Sequence, residues 1–181
     1  DIRHVETIIN VLNVELDKVS IWLQAKRLSL NSKKCTFMAF SKSKKKLKLR
    51  NCQVKINNEP IQRVTNTKFL WVYIDECLSW NIHIKELENK ISNNIGIMSR
   101  LKYTCTLPSS ILRTLYCSLI LLYLSYCNFI WANTYKSNLD KLIKLQKKAI
   151  RIVCKAPFLE HTTPLFKKHK LLSLMNINVF Q

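Results

Sequence analysis

The sequence predicts an α+β fold, with a helix, short strands and a hairpin up to about residue 78, then an all-helical remainder. Three observations carry this expectation. Apolar residues recur at steps of three and four in four long stretches. β-type alternation is confined to residues 35–75. Pro is absent between Pro60 and Pro108 and between Pro108 and Pro157, which suits long helices. With 48% apolar residues in 181, the chain can bury a core.

Ile2 to Leu23 places Val5, Ile8, Ile9, Leu12, Leu16, Val19 and Leu23 on one helix face, with His4, Glu6, Asn10 and Asp17 on the other. "CTFMAF" reads as a short strand, and "SKSKKKLKLRN" (Ser41 to Asn51) as a basic connector. Asn57-Asn58 lies between two β-like runs and predicts a hairpin turn. "TKFLWVYID" reads as one further strand, with Phe69, Trp71 and Tyr73 alternating against Leu70, Val72 and Ile74. The boundary falls near Ser79. From Trp80 to Tyr103, Ile84, Leu87, Ile91, Ile95 and Met98 keep a helical repeat, weakened a little by Gly96. Pro108 suits a helix entry, and an apolar run follows to about Ala132. Leu115 to Ala132 lacks any charge, but Ser118, Ser125, Asn128 and three Tyr argue for a buried helix rather than a membrane span.

Lys and Arg number 30 against 11 acids, a net charge of +19. So much positive charge predicts an anionic partner, nucleic acid before a membrane surface. The clearest amphipathic helix, Asn138 to Cys154, sets Lys141, Lys144, Lys148, Arg151 and Lys155 opposite Leu139, Leu142, Ile143, Ala149, Ile150 and Val153. Such a face is either ordinary and solvated or phosphate-binding. No acid interrupts the stripe, which favours phosphate. Seven Cys without a CxxC pair predict reduced thiols rather than a metal site.

Metal-assisted phosphoryl chemistry needs clustered carboxylates. Here only Asp75-Glu76 are adjacent, and strand neighbours point to opposite faces. With one Gly, no Gly-rich phosphate loop or nucleophile elbow is present. The residues alone describe a basic nucleic-acid-binding piece without a visible active site.

Five blocks in order, "ELDKVSIWLQAKRLSLNSKKCTFMAF", "INNEPIQRVTNTKFLWVYIDECLSWNIHIK", "KISNNIGIMSRLK", "LRTLYCSLILLYLSYCNFIWA" and "LIKLQKKAIRIV", resemble the C-terminal part of the reverse transcriptase of non-LTR, LINE-type, jockey-like retrotransposons. The resemblance implies the end of a polymerase palm at 1–78, a helical thumb at 79–156 and a post-thumb connector at 157–181. Asp1 in place of Met, inside a helical pattern, fits a fragment of something longer. The paired catalytic aspartates of the family's FADD motif would precede Asp1. No catalytic residue and no metal ligand is therefore expected here, the magnesium of the complete enzyme being held elsewhere, and the chain alone is expected not to polymerise. Lys34 matches a lysine near the incoming nucleotide that assists proton transfer to pyrophosphate. The implied partners are the RNA template, an RNA–DNA or DNA primer–template duplex and the rest of the retrotransposon polyprotein. No membrane partner is expected. The implied location is the nucleus and cytoplasm. The alternative is a stand-alone, non-catalytic basic nucleic-acid-binding protein.

The family pattern "T.FLG..ID..L.W..H" matches at Thr67, Phe69, Leu70, Ile74, Asp75, Leu78, Trp80 and His83. It implies that Phe69, Leu70, Trp71 and Val72 form a primer-grip-like hairpin, which holds a primer's 3′ end. Trp71 stands where the family has Gly, Leu122 where it has Pro, Lys26 where it has Asn and Cys35 where it has Thr. These departures suggest a drifting copy. Trp71 is then expected to be a lesion that overpacks a glycine-sized gap.

Overall fold

The computed structural model describes residues 2–41, 53–105 and 107–180. Helix and strand are mixed, as an α+β fold requires. The chain divides into two compact units, one running up to Lys68 with Asp75–Leu78, the other comprising Phe69–Ile74 and Ser79 onward.

In the first unit, α1 (Ile2–Ala25) ends in a turn at Arg27, and a 3-10 turn (Ser32–Lys34) leads to β1 (Thr36–Phe37). β2 (Lys55–Ile56) and β3 (Glu59–Pro60) pair antiparallel, Ile56 opposite Glu59. The turn between them is Asn57-Asn58, at φ 52° and 62°, two residues that tolerate the left-handed region. β4 (Gln62–Arg63) pairs in parallel with β1, Thr36 opposite Gln62. The basic connector lies, Ser41 apart, outside the described residues.

Polar contacts hold α1 to this layer. Asn13 Nδ2 donates to the Gln53 carbonyl at 3.1 Å, while Asn13 Oδ1 accepts the Lys55 N–H at 2.9 Å. The Ser20 hydroxyl, 4% exposed, donates to Asn57 Oδ1 at 2.5 Å. Among the described side chains of the expected apolar face only Ile9 is buried, while Ile8, Leu12 and Val19 are exposed. A second apolar row that the single-face reading missed, Val11, Val14, Ile21 and Trp22, is exposed as well.

β5 (Asn66–Phe69) and β6 (Val72–Asp75) form a hairpin; alternation alone read Thr67–Ile74 as a single strand, while the resemblance implied a hairpin over Phe69–Val72. Leu70 and Trp71 make its two-residue turn at φ 44° and 69°. Alternation of apolar residues continues through a two-residue turn, so periodicity alone could not see the break.

The second unit is helical, built from α2 (Asn81–Thr104), α3 (Ser109–Tyr116), α4 (Leu122–Ser125), α5 (Asn128–Trp131), α6 (Lys136–Val153), α7 (Thr162–Lys168) and α8 (Leu174–Phe180). All five apolar positions expected on α2 are buried. They pack along α6, whose Leu142, Ala149, Ile150 and Val153 are inaccessible to solvent. Each of the larger of these side chains contributes about 1.5–3 kcal/mol by leaving water. Residues 157–181, expected as a connector, supply Leu165, Phe166, Leu171, Leu174 and Ile177 to this core.

The apolar run to Ala132 is not one helix. A π-helical turn, Cys117–Leu121, follows α3, and Leu122 N–H donates to the Cys117 carbonyl five residues back. After α4, Cys127 takes φ 50° and starts α5 in a new direction. Among the described residues, no helix is long and apolar enough to cross a membrane.

One amide closes the core. Gln146, 1% exposed, donates from Nε2 to the Tyr116 hydroxyl (2.9 Å) and the Leu172 carbonyl (3.0 Å), and its Oε1 accepts the Leu174 N–H (2.8 Å). It thereby fixes α3, α6 and the start of α8 together. Gln146→Met keeps the volume but strands two buried polar groups, the Tyr116 hydroxyl and the Leu174 N–H, and frees the part-buried Leu172 carbonyl, at about 1–3 kcal/mol for each left unsatisfied. The variant should lose about 3 kcal/mol or more of unfolding free energy in a urea titration. An unchanged midpoint would remove the amide from this role.

Candidate nucleic-acid interface

The hairpin tip is built from one buried and three exposed apolar residues. Val72 is 5% exposed and joins the helical core, so it anchors the hairpin and offers no contact surface. Phe69, Leu70 and Trp71 are each more than 60% exposed. The Tyr126 hydroxyl donates to the Leu70 carbonyl at 2.8 Å and fixes the turn. Trp80, at φ 63°, precedes α2, and its carbonyl accepts the Ile84 N–H at 2.9 Å. Its ring is buried, so the Trp of the matched pattern is a core residue.

Trp71 corrects the expectation of overpacking. Its indole turns outward, 67% exposed, and fills no gap. The second residue of this turn lies at φ 69°, a conformation that glycine adopts most readily. An L-residue in the left-handed region costs about 1–2 kcal/mol. Against that, the Lys90 ammonium lies 5.3 Å from the Trp71 ring centre and 5.5 Å from that of Tyr123. Such contacts return about 0.5–1 kcal/mol at exposed sites. Trp71→Ala should lose the cation contact and keep the strain, whereas Trp71→Gly loses the contact and relieves the strain. The glycine variant should therefore be more stable than the alanine variant by about 1 kcal/mol in thermal unfolding. Equal stabilities would mean that the turn is not strained.

His83 is 3% exposed, edge-on to Trp131 with ring centres 5.7 Å apart. Its Nδ1 accepts the Tyr73 N–H at 3.4 Å, which places the proton of the neutral ring on Nε2, where the structure gives it no partner. Burial, with repulsion from Lys90 added, pulls the imidazole from its usual 6.5 down to about 4. The unfolded chain binds this proton more tightly than the folded one. His83 thus stabilises the fold fully above pH 6.5, and that contribution drains away as the pH falls through about 4. The loss should reach about 3 kcal/mol. Denaturant titrations between pH 7 and 4 should show it in the native protein and not in His83→Asn. Parallel pH profiles would contradict a buried neutral imidazole.

The basic stripe is only partly a helix face. Lys141, Lys144 and Lys148 stand exposed on α6. Arg151 is half-buried: its Nε donates to the Glu160 carbonyl at 2.9 Å, and its guanidinium lies 6.0 Å from the Phe158 ring centre. Lys155 sits past the helix end at φ 54°, with Ala156 N–H closing back on the Arg151 carbonyl at 2.9 Å. A neighbouring groove carries Lys136, Lys147, Lys167 and Lys170 with one acid, Asp140. Sequence periodicity missed this cluster because it gathers from separate helices. Lys34 is exposed at the end of the 3-10 turn, in the other unit.

The acids make no metal clamp. Asp75 Oδ1 accepts the Cys77 N–H at 3.1 Å, a local turn bond, and Glu76 pairs with Arg63 at 3.3 Å. Among the described residues no group of three His, Cys, Asp or Glu could hold an ion. No carboxylate cluster of the kind that a polymerase's magnesium requires is present among the described residues. The six described cysteines are all free thiols. Compared with known protein families, curated proteins and solved structures, the chain matches none.

Proposed function

We propose that this chain is the palm end and thumb of a non-LTR retrotransposon reverse transcriptase, and that it holds primer–template nucleic acid without carrying the catalytic metals. The observation that carries the reading is the division of labour in the matched hairpin segment. Val72, Trp80 and His83 are buried, while Phe69, Leu70 and Trp71 are presented outward on a two-residue turn. A primer-grip-like hairpin needs an anchored base and an exposed tip. The bare apolar rows of α1 support the same reading, because the rest of a palm would cover them. Lys141, Lys144 and Lys148 supply the cations for a phosphate backbone.

Backbone contacts carry little sequence information, so binding should be indifferent to sequence, and an A-form-like RNA–DNA hybrid is the preferred ligand. The test is fluorescence anisotropy on hybrid, duplex DNA and single strands across a salt series. Lys144→Ala/Lys148→Ala should weaken binding to every sequence alike and flatten the log–log salt slope by about two units, one for each lost phosphate contact. An unchanged affinity and slope would reduce the stripe to a solvated face.

A further inference from the structure

A cavity of about 320 Å³ opens within the helical unit beside the hairpin. Its walls are Trp71 and Tyr73 from the hairpin, His83 and Lys90 from α2, and Tyr123 and Tyr126 from the segment after the π-helical turn. The volume falls at the lower end of small-ligand sites, about 300–1,000 Å³. We propose that this cavity takes the base of one unpaired nucleotide, with the Lys90 ammonium meeting its phosphate. The inference rests on the nucleic-acid reading above and adds a single-strand subsite to it.

Four aromatic residues around one small space suit a flat ring, because every base offers a π-face to stack. Lys90 puts a cation among them, within 5.5 Å of two ring centres, and that charge disfavours a cationic guest. Glu86, one turn earlier on α2, is the one acid in the wall and offers an acceptor to an amino or hydroxyl group. Bases stacked inside a duplex cannot enter, so the cavity separates unpaired from paired nucleic acid, which the lysines of α6 do not. The subsite also gives the strained Trp71 a use, since its indole forms one wall.

The experiment measures binding of a short labelled single strand and a blunt-ended duplex to the whole chain. The proteins compared are the native chain, Trp71→Ala, Lys90→Gln and Lys144→Ala/Lys148→Ala, each checked for native helicity and melting. Trp71 is exposed, so its replacement leaves the core intact. Lys90→Gln should weaken single-strand binding about tenfold and leave duplex binding unchanged, whereas Trp71→Ala, whose indole also belongs to the hairpin tip, should weaken single-strand binding about tenfold and duplex binding less. The α6 double variant should weaken both. Unchanged single-strand affinity in both cavity variants, with duplex still bound, overturns the subsite and leaves the nucleic-acid reading standing. If the native chain binds neither ligand, the nucleic-acid reading fails and the subsite falls with it.

Discussion

The helical unit depends on one apolar seam, the packing of α2 against α6. Ile84, Leu87, Ile91, Ile95 and Met98 meet Leu142, Ala149, Ile150 and Val153 there. Because that face of α6 must go inward, its lysines must go outward, and the concentration of positive charge is a consequence of the packing. Charge repulsion along α6 is unfavourable in the free chain and becomes useful only beside an anion. Gln146 sits on the seam as the one amide that binds three partners, and it ties the end of the chain to the middle. The proposed function and the stability thus meet on a single helix, on opposite faces.

A second constraint is the shortage of glycine. The sole Gly, Gly96, lies inside α2, so every left-handed turn falls to an ordinary residue. Asn57 and Asn58 carry this at little cost, since their short polar side chains tolerate the region. Leu70, Trp71, Leu78, Trp80 and Cys127 do not have that excuse. Four of these five fall around the hairpin and its exit into α2, so local strain collects where the proposed nucleic-acid contact lies.

Much of the architecture was legible in the sequence because period and burial agree on long helices. The core positions of α2 and α6 and the Asn57-Asn58 turn followed directly from spacing and turn chemistry. Three features did not. To the residues alone the Leu70-Trp71 turn hid inside an alternating apolar run, and only the resemblance implied a hairpin there, because neither residue signals a turn. The break at Cys127 hid inside an uncharged stretch for the same reason. On α1 the search for one apolar face passed over a second, formed by Val11, Val14, Ile21 and Trp22. Of the site, the lysines of α6 were readable from a single helix. The cavity was not, because its walls come from three segments far apart in the chain. Arg151 and Lys155 kept the helical spacing, but one is held by the Glu160 carbonyl and the other lies past the helix end.

The central claim is that the outward face of α6 lies against a nucleic-acid backbone. Lysine footprinting reads this directly: the chain is acylated with and without an RNA–DNA hybrid at low salt, and each site is quantified by mass spectrometry. The account predicts strong protection at Lys141, Lys144 and Lys148, with Lys18 and Lys102 modified as in the free chain. Protection spread evenly over all lysines, or absent from α6, would contradict it.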